Sequence, residues 1–244
     1  MAAPSLPAFL YAFKGLALIS RAPCRAWAAA PLIINAFLFS ALGAVLFTYL
    51  GGWLDAIVPR DGWLQYLRWL VWPVSALTAA LVGLLLATLL GNLVAAPFNE
   101  RLAARIVAAA GQRIPRATGE VTVRTAAQAT VDELRKTGYF VVRALLTLPL
   151  FLVPGVNLFA PVVWFLLTSW FLALEYWDYP LALTGARFAE QRRLLRRNRL
   201  TALGFGTGVT VLLLVPIVNL AAMPAAVAGA ALLWADRWKA ENPA

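Results

Sequence analysis

The chain has no histidine and only one cysteine, Cys24, among its 244 residues. A single cysteine excludes a disulfide within the chain, and without histidine too few ligands remain for a zinc, haem or iron–sulfur site. Acidic residues are also scarce, with 11 Asp and Glu against 21 Lys and Arg. General acid–base catalysis relies mostly on histidine or on paired carboxylates in a pocket, and the acids here are scattered. We therefore predict that the protein is not an enzyme and needs no metal or other cofactor.

Charged residues of either sign are few, whereas apolar residues dominate. They make up 13% and 62% of the chain, and the mean hydropathy is +0.76. A globular domain has about 25% charged and about 45–50% apolar residues. The sequence therefore predicts an all-α integral membrane protein with a single membrane domain over 1–244. The net charge of +10 favours contact with lipids rather than nucleic acid, because no nucleic-acid-reading fold accompanies it.

Four uncharged runs are each long enough to cross a bilayer, which takes about 20 apolar residues. They cover 26–54, 69–99, 144–174 and 200–235. The first two carry their prolines near the ends, where a helix tolerates them. We predict that these two are transmembrane helices, joined by a short link around which tryptophans cluster, as they do at a membrane interface.

The last two runs are interrupted centrally by similar sequences, "FLVPGVNLFAP" at 151–161 and "LLVPIVNLAAMP" at 213–224. Proline breaks a helix, Gly and Asn favour a tight turn, and each remaining arm is shorter than the hydrocarbon core of about 30 Å. We therefore predict that both runs form re-entrant (hemi-penetrating) helical hairpins. Asn157 and Asn219 are expected to hydrogen-bond the backbone N–H and C=O groups that the two breaks leave without partners, or to contact a permeant there.

The distribution of positive charge supports this topology. With the N-terminus in the cytoplasm, only Arg60 and Arg68 of the 21 Lys and Arg residues lie outside. If 144–174 crossed the membrane completely, the six arginines of 187–199 would face outward, against the positive-inside trend. We expect those six to face lipid phosphates or the cytosol, or else to draw anions toward a pore mouth.

The remaining segments are predicted to be cytoplasmic. The first, 1–25, holds an amphipathic helix and a loop, and 100–143 forms helical extensions broken around 113–120. The helix predicted after that break carries five polar or charged residues of interest: Glu133, Arg135, Lys136, Tyr139 and Arg143. Their spacings of three and four residues predict pairing on one helix, either as a structural ion-pair network or along an anion pathway. The motif "GFGTG" at 204–208 is expected to allow close helix packing.

Five segments carry a family resemblance: "APFNERL" (96–102), "VPGVNL" (153–158), "DYP" (178–180), "GFG" (204–206) and "VPIVNLAAMPAAVAGA" (215–230). They closely resemble the CysZ family of bacterial inner-membrane sulfate transporters, and the likeness runs through most of the chain. The resemblance implies two transmembrane helices, two hemi-penetrating hairpins and a homo-oligomer. It also implies ATP-independent uptake of sulfate for cysteine synthesis.

Members of that family bind sulfate at an arginine–proline–glycine–leucine–arginine type of segment, through arginine and backbone amides. The corresponding stretch here is "RAPCR", in which Arg21 and Arg25 match, while Pro23 and Cys24 replace the glycine and the leucine. Pro23 removes one backbone donor. The resemblance therefore implies a site for sulfate or a similar oxyanion at these four residues. From the residues alone, the two arginines fit interfacial anchoring as well as anion contact.

A second class of function fits the same broken helices. Re-entrant hairpins that enter only one leaflet can bend a bilayer or bind a partner protein. The alternative to a transporter is thus a non-transporting membrane scaffold or membrane-shaping protein.

Overall fold

The computed structural model describes residues 6–21, 24–57, 66, 68–111 and 126–241. Within these ranges the regular secondary structure is entirely helical, as predicted. The α-helices are α1 (Ala8–Ile19), α2 (Cys24–Ile57), α3 (Arg68–Ala109), α4 (Ala126–Thr147), α5 (Ala160–Ala182), α6 (Phe188–Arg197), α7 (Arg199–Leu214) and α8 (Pro216–Glu241), and a short 3₁₀ helix, Leu148–Phe151, follows α4. The predicted break around 113–120 lies outside the described residues, as does Pro23.

The chain divides into two compact units, one formed by Met1–Ala28 with Asn99–Ala244 and the other by Ala29–Phe98. The second unit holds most of α2, including its C-terminal end, and most of α3. Its segment Trp69–Ala87 is long and apolar enough to cross a membrane, and α2 contains the shorter apolar segment Ala36–Leu46. Large apolar side chains cover the outside of this unit, with Trp69 77% exposed. So much exposed apolar surface favours contact with lipid.

The first unit is built on close packing of α1, α5, α7 and α8. Small residues make this possible, because a side chain at Gly15 of α1 would collide with the backbone of Ala225 in α8. In the same way, a Cβ at Gly206 of α7 would collide with the carbonyl of Ser169 in α5. The expectation that "GFGTG" serves helix packing is thereby confirmed. The hydroxyl groups of Ser169 and Thr210 lie 3.1 Å apart across this contact, as polar groups do between helices in membranes.

Both predicted central breaks are present. The backbone leaves the helix at Val215, with φ −92° and ψ 108°, and α8 begins at Pro216. Proline suits the first position of a helix, where its missing N–H would have no intrahelical partner. In the other interrupted run, turns extend from Leu152 to Phe159, and Gly155 has φ +82°, a left-handed conformation that favours glycine.

Backbone hydrogen bonds, and not the asparagine side chains, close these turns. The amide of Asn219 donates to the carbonyl of Val215 at 2.8 Å, and that of Asn157 to the carbonyl of Val153 at 3.0 Å. Both asparagine side chains are exposed. The predicted capping by Asn157 and Asn219 is therefore absent in the part of the chain that the structure describes.

Helix α5 is longer than the arm that the sequence predicts. The prediction ended that arm at Leu174, because a charge follows, but α5 continues to Ala182. The charge of Glu175 is tolerated because its carboxylate lies 2.9 Å from the Lys136 ammonium. At 23 residues, or about 35 Å, α5 is long and apolar enough to cross a membrane.

Candidate anion sites

Helices α4 and α6 line a cavity of about 700 Å³, here named the α4–α6 cleft. On α4 the lining positions recur every three or four residues, which places them on one helix face. Five arginines line the cleft: Arg135, Arg143, Arg187, Arg192 and Arg193. Two carboxylates, those of Asp132 and Glu190, accompany them.

Both carboxylates are already engaged. Asp132 lies 3.7 Å from Arg187 and 3.9 Å from Arg135, and Glu190 accepts a hydrogen bond from the backbone N–H of Arg187 at 3.0 Å. A carboxylate in the first turn also suits the positive end of the α6 dipole. Among the described residues, the other three arginines of the cleft form no ion pair, so the cleft carries a surplus of positive charge.

Two of those arginines are oriented by one tyrosine. The guanidinium of Arg143 lies 4.4 Å from the centre of the Tyr139 ring, and that of Arg192 lies 5.4 Å from it. The Tyr139 hydroxyl accepts a hydrogen bond from the indole of Trp170 at 3.0 Å, which fixes the ring. The Nε of Arg143 is buried and has no hydrogen-bond partner in the described part of the protein. Such a donor favours an acceptor that enters the cleft.

Lys136, also on α4, is buried and joins α4 to α5 through an ionic network whose carboxylates are partly exposed. Its ammonium lies 2.9 Å from Glu133, 2.9 Å from Glu175 and 3.8 Å from Asp178. The amide of Gln191, on α6, donates to Asp178 in turn. The network therefore connects three helices.

The pKa of Lys136 reflects this environment. Burial disfavours the charged ammonium, but the carboxylates of Glu175 and Asp178 and the hydrogen bonds to Glu133 and Glu175 outweigh it. The pKa of Lys136 is consequently raised above its usual 10.5, and the side chain is a permanent cation at physiological pH.

The five α4 residues predicted as one group thus divide into two. The predicted pairings of Glu133 with Lys136 and of Tyr139 with Arg143 are both present. The first pair belongs to the ionic network, whereas Tyr139 and Arg143 line the α4–α6 cleft together with Arg135.

The predicted RAPCR site lies at the start of α2. Arg21 and Arg25 are exposed and Cys24 is buried. The backbone amides of Cys24 and Arg25 both donate to the carbonyl of Arg21 at 3.0 Å. Because those two amides are already used, the donors that remain for an anion at the described residues of this segment are the guanidinium groups.

Two further arginines, from α3, approach this segment. The guanidiniums of Arg101 and Arg105 lie 5.5 Å and 4.9 Å from the centre of the Trp27 ring, one helical turn after Cys24. Burial raises the pKa of the Cys24 thiol, although the charge of Arg105 acts in the opposite direction. We name Arg21, Arg25, Arg101 and Arg105 the N-terminal arginine cluster.

Sequence reasoning missed part of each site. It did not connect Arg101 and Arg105 with the RAPCR segment, although their four-residue spacing places them on one helix face. It also assigned Arg187, Arg192 and Arg193 to lipid phosphates, the cytosol or a pore mouth without placing them opposite α4. Only tertiary packing brings these residues together.

A family profile for sulfate transporter CysZ/etoposide-induced protein 2.4 matches residues 11–224. The chain belongs to this family. The match begins within α1 and ends within α8, so it includes both the N-terminal arginine cluster and the α4–α6 cleft. The family assignment made from short motifs is thereby confirmed.

Relatives named as sulfate transporters CysZ are similar over nearly the whole chain. The protein from Pectobacterium atrosepticum is 37% identical over 232 residues, which cover 94% of this chain and 84% of the relative. The protein from Pseudomonas aeruginosa is 36% identical over 238 residues, covering 95% of both. The Salmonella paratyphi A protein is 32% identical over 235 residues, covering 95% and 93%.

Proposed function

We propose that this protein is a permease that carries sulfate or a closely related oxyanion across the bacterial inner membrane without ATP, supplying sulfate for cysteine synthesis. The observation that carries the proposal is the N-terminal arginine cluster: Arg21 and Arg25 are exposed at the start of α2, and Arg101 and Arg105 lie against Trp27 of the same helix, in a chain whose acids are scarce. The names of the CysZ relatives support the choice of anion.

The chemistry of the cluster suits a tetrahedral dianion. Such an anion must be given hydrogen-bond donors and positive charge in place of water, and arginine offers five N–H donors in a planar fork. We propose that Arg25 and Arg21 bind the anion directly, with Arg101 and Arg105 adding positive potential from the Trp27 ring. The raised pKa of Cys24 keeps that thiol neutral, so it does not repel the anion.

The first test is sulfate flux into proteoliposomes that contain the purified protein and no ATP. We expect Arg25→Gln to lower the initial rate by about tenfold, because one charge-assisted contact to the anion is lost. Arg196→Gln is the matched control: it removes one exposed arginine of α6 that is outside both sites, and it should transport like the wild type. Radiolabelled sulfate retained on filters measures the rate.

Three results would contradict the proposal. Wild-type flux no higher than in empty liposomes would exclude transport and favour the membrane scaffold. Equal flux for Arg25→Gln and the wild type would exclude the role of Arg25. A deletion strain that grows normally on sulfate as its sole sulfur source would exclude a necessary part in cysteine synthesis.

We further propose that α2 and α3 cross the membrane, whereas the α4–α5 and α7–α8 hairpins enter from the cytoplasm and return, sealed by copies of the same chain in a homo-oligomer. Helix α7 has 16 residues, or about 24 Å, less than the hydrocarbon core of about 30 Å. The tip of the α4–α5 hairpin is apolar and exposed, with Leu152 at 82% and Leu158 at 79%. Such a surface suits lipid or a neighbouring subunit.

The length of α5 makes the topology testable at one position. A cysteine at Asn198, between α6 and α7, is introduced into a Cys24→Ala background, with Tyr66→Cys as the matched control in the link between α2 and α3. If the α4–α5 hairpin is re-entrant, a membrane-impermeant maleimide added to intact spheroplasts labels only the control. Labelling at 198 from outside would mean that α5 crosses completely.

A further inference from the structure

We infer that the α4–α6 cleft binds the phosphodiester head group of an anionic phospholipid, with one acyl chain lying along the C-terminal part of α4. The cleft is separate from the N-terminal arginine cluster, and lipid binding there does not depend on transport.

One end of the cleft is charged and the other is apolar. Along α4 the lining passes through Arg135, Tyr139 and Arg143. Val142 lies next to Arg143, and the lining ends at Leu146, inside the uncharged run that begins at residue 144. Leu146 is 73% exposed. From Arg135 to Leu146 the helix rises about 16 Å, enough for a head group at one end and the first part of an acyl chain at the other.

The charged end has the geometry of a phosphate site. Tyr139 holds the guanidiniums of Arg143 and Arg192 on its ring at 4.4 and 5.4 Å, so their donors are oriented before a ligand arrives. The buried Nε of Arg143 has no hydrogen-bond partner among the described residues. A phosphate oxygen would satisfy that donor, and arginine forks match phosphate geometry.

The apolar end distinguishes a lipid from a free inorganic anion. A bare phosphate or sulfate would leave Val142 and Leu146 uncovered, whereas an acyl chain would cover them. The surplus of arginine over carboxylate also disfavours a zwitterionic head group, because its ammonium would meet positive charge. The cleft therefore fits a head group with one net negative charge and no cation, as in phosphatidylglycerol.

The test is native mass spectrometry of the full-length protein in neutral detergent, titrated separately with phosphatidylglycerol and phosphatidylcholine. We expect the wild type to retain one phosphatidylglycerol per chain with about tenfold preference over phosphatidylcholine. Arg143→Gln and Arg192→Gln should each lose that preference. Arg196→Gln should keep the preference, because Arg196 lies on α6, as Arg192 does, but outside the cleft.

A second variant covers the case in which Arg143→Gln does not yield folded protein. Leu146→Glu changes an exposed side chain and should weaken phosphatidylglycerol binding by about tenfold, because a carboxylate would meet the acyl chain and repel the head group. Equal binding of the two lipids by the wild type, or unchanged binding in Arg192→Gln and Leu146→Glu, would overturn the inference. So would full displacement of the lipid by millimolar inorganic phosphate, which would identify a free-anion site. Lipid retention is measured without sulfate, so a failure of sulfate flux would leave this result unaffected.

Discussion

Replacing Lys136 with methionine should destabilise the first unit strongly. Removing one partner of a fully buried ion pair costs about 3–5 kcal/mol, because the remaining charge is left without compensation. Here the lysine side chain is only 8% exposed, but its partner Glu175 is 39% exposed and can regain some water. We therefore expect a loss of about 2–4 kcal/mol in the free energy of unfolding.

The assay is reversible unfolding of the purified protein by SDS in mixed micelles, followed by circular dichroism. Arg135→Gln is the matched control on the same helix. Its side chain is 64% exposed and lies 3.9 Å from Asp132, so it should cost less than about 1 kcal/mol.

A double variant tests the mechanism rather than the size of the loss. Adding Glu175→Gln to Lys136→Met removes one of the uncompensated carboxylates and should recover about 1 kcal/mol. The ionic network does not stabilise the fold as argued if Lys136→Met is as stable as the wild type. The same holds if the double variant loses as much stability as the two single variants added together.

Three further predictions concern protonation and packing. Because the pKa of Lys136 is raised above 10.5, its contribution is fully present below that value and is lost only as pH rises through the folded pKa. The stability difference between the wild type and Lys136→Met should therefore be constant between about pH 7 and about pH 9, and a steady decline in that window would contradict this reasoning. Burial raises the pKa of Cys24, so maleimide at about pH 8 should label it at least about tenfold more slowly than an exposed cysteine at Ser20 in a Cys24→Ala chain; equal rates would mean that the thiol is accessible. Gly206→Ala should cost about 2–3 kcal/mol, since its Cβ meets the backbone of Ser169, whereas Gly204→Ala on the same helix, where the nearest atom is 3.5 Å away, should cost less than about 1 kcal/mol. Equal losses in SDS unfolding would show that α5 and α7 do not pack as closely as described.

Local sequence determined the features that depend on backbone chemistry and composition. The scarcity of charge predicted a membrane protein, and short motifs were enough to place the chain in its family. The two central breaks were predictable because Pro216 lacks an N–H and Gly155 accepts a positive φ, and both effects act within a few residues. The use of glycines in helix packing followed from their size alone.

Features that depend on pairs distant in the chain were decided by the tertiary structure. From the sequence, the α5 arm was predicted to end before Glu175, since a charge is costly in an apolar run. In the structure Lys136 of α4 compensates that charge, and the helix continues to Ala182. Likewise, the positions of Arg101 and Arg105 beside Trp27, and of α6 opposite α4, come from helix packing. Helical periodicity assigns each side chain to a face of its own helix, but it does not say which other helix that face meets. Both arginine sites are formed where such faces meet, and so they become visible only in the folded protein.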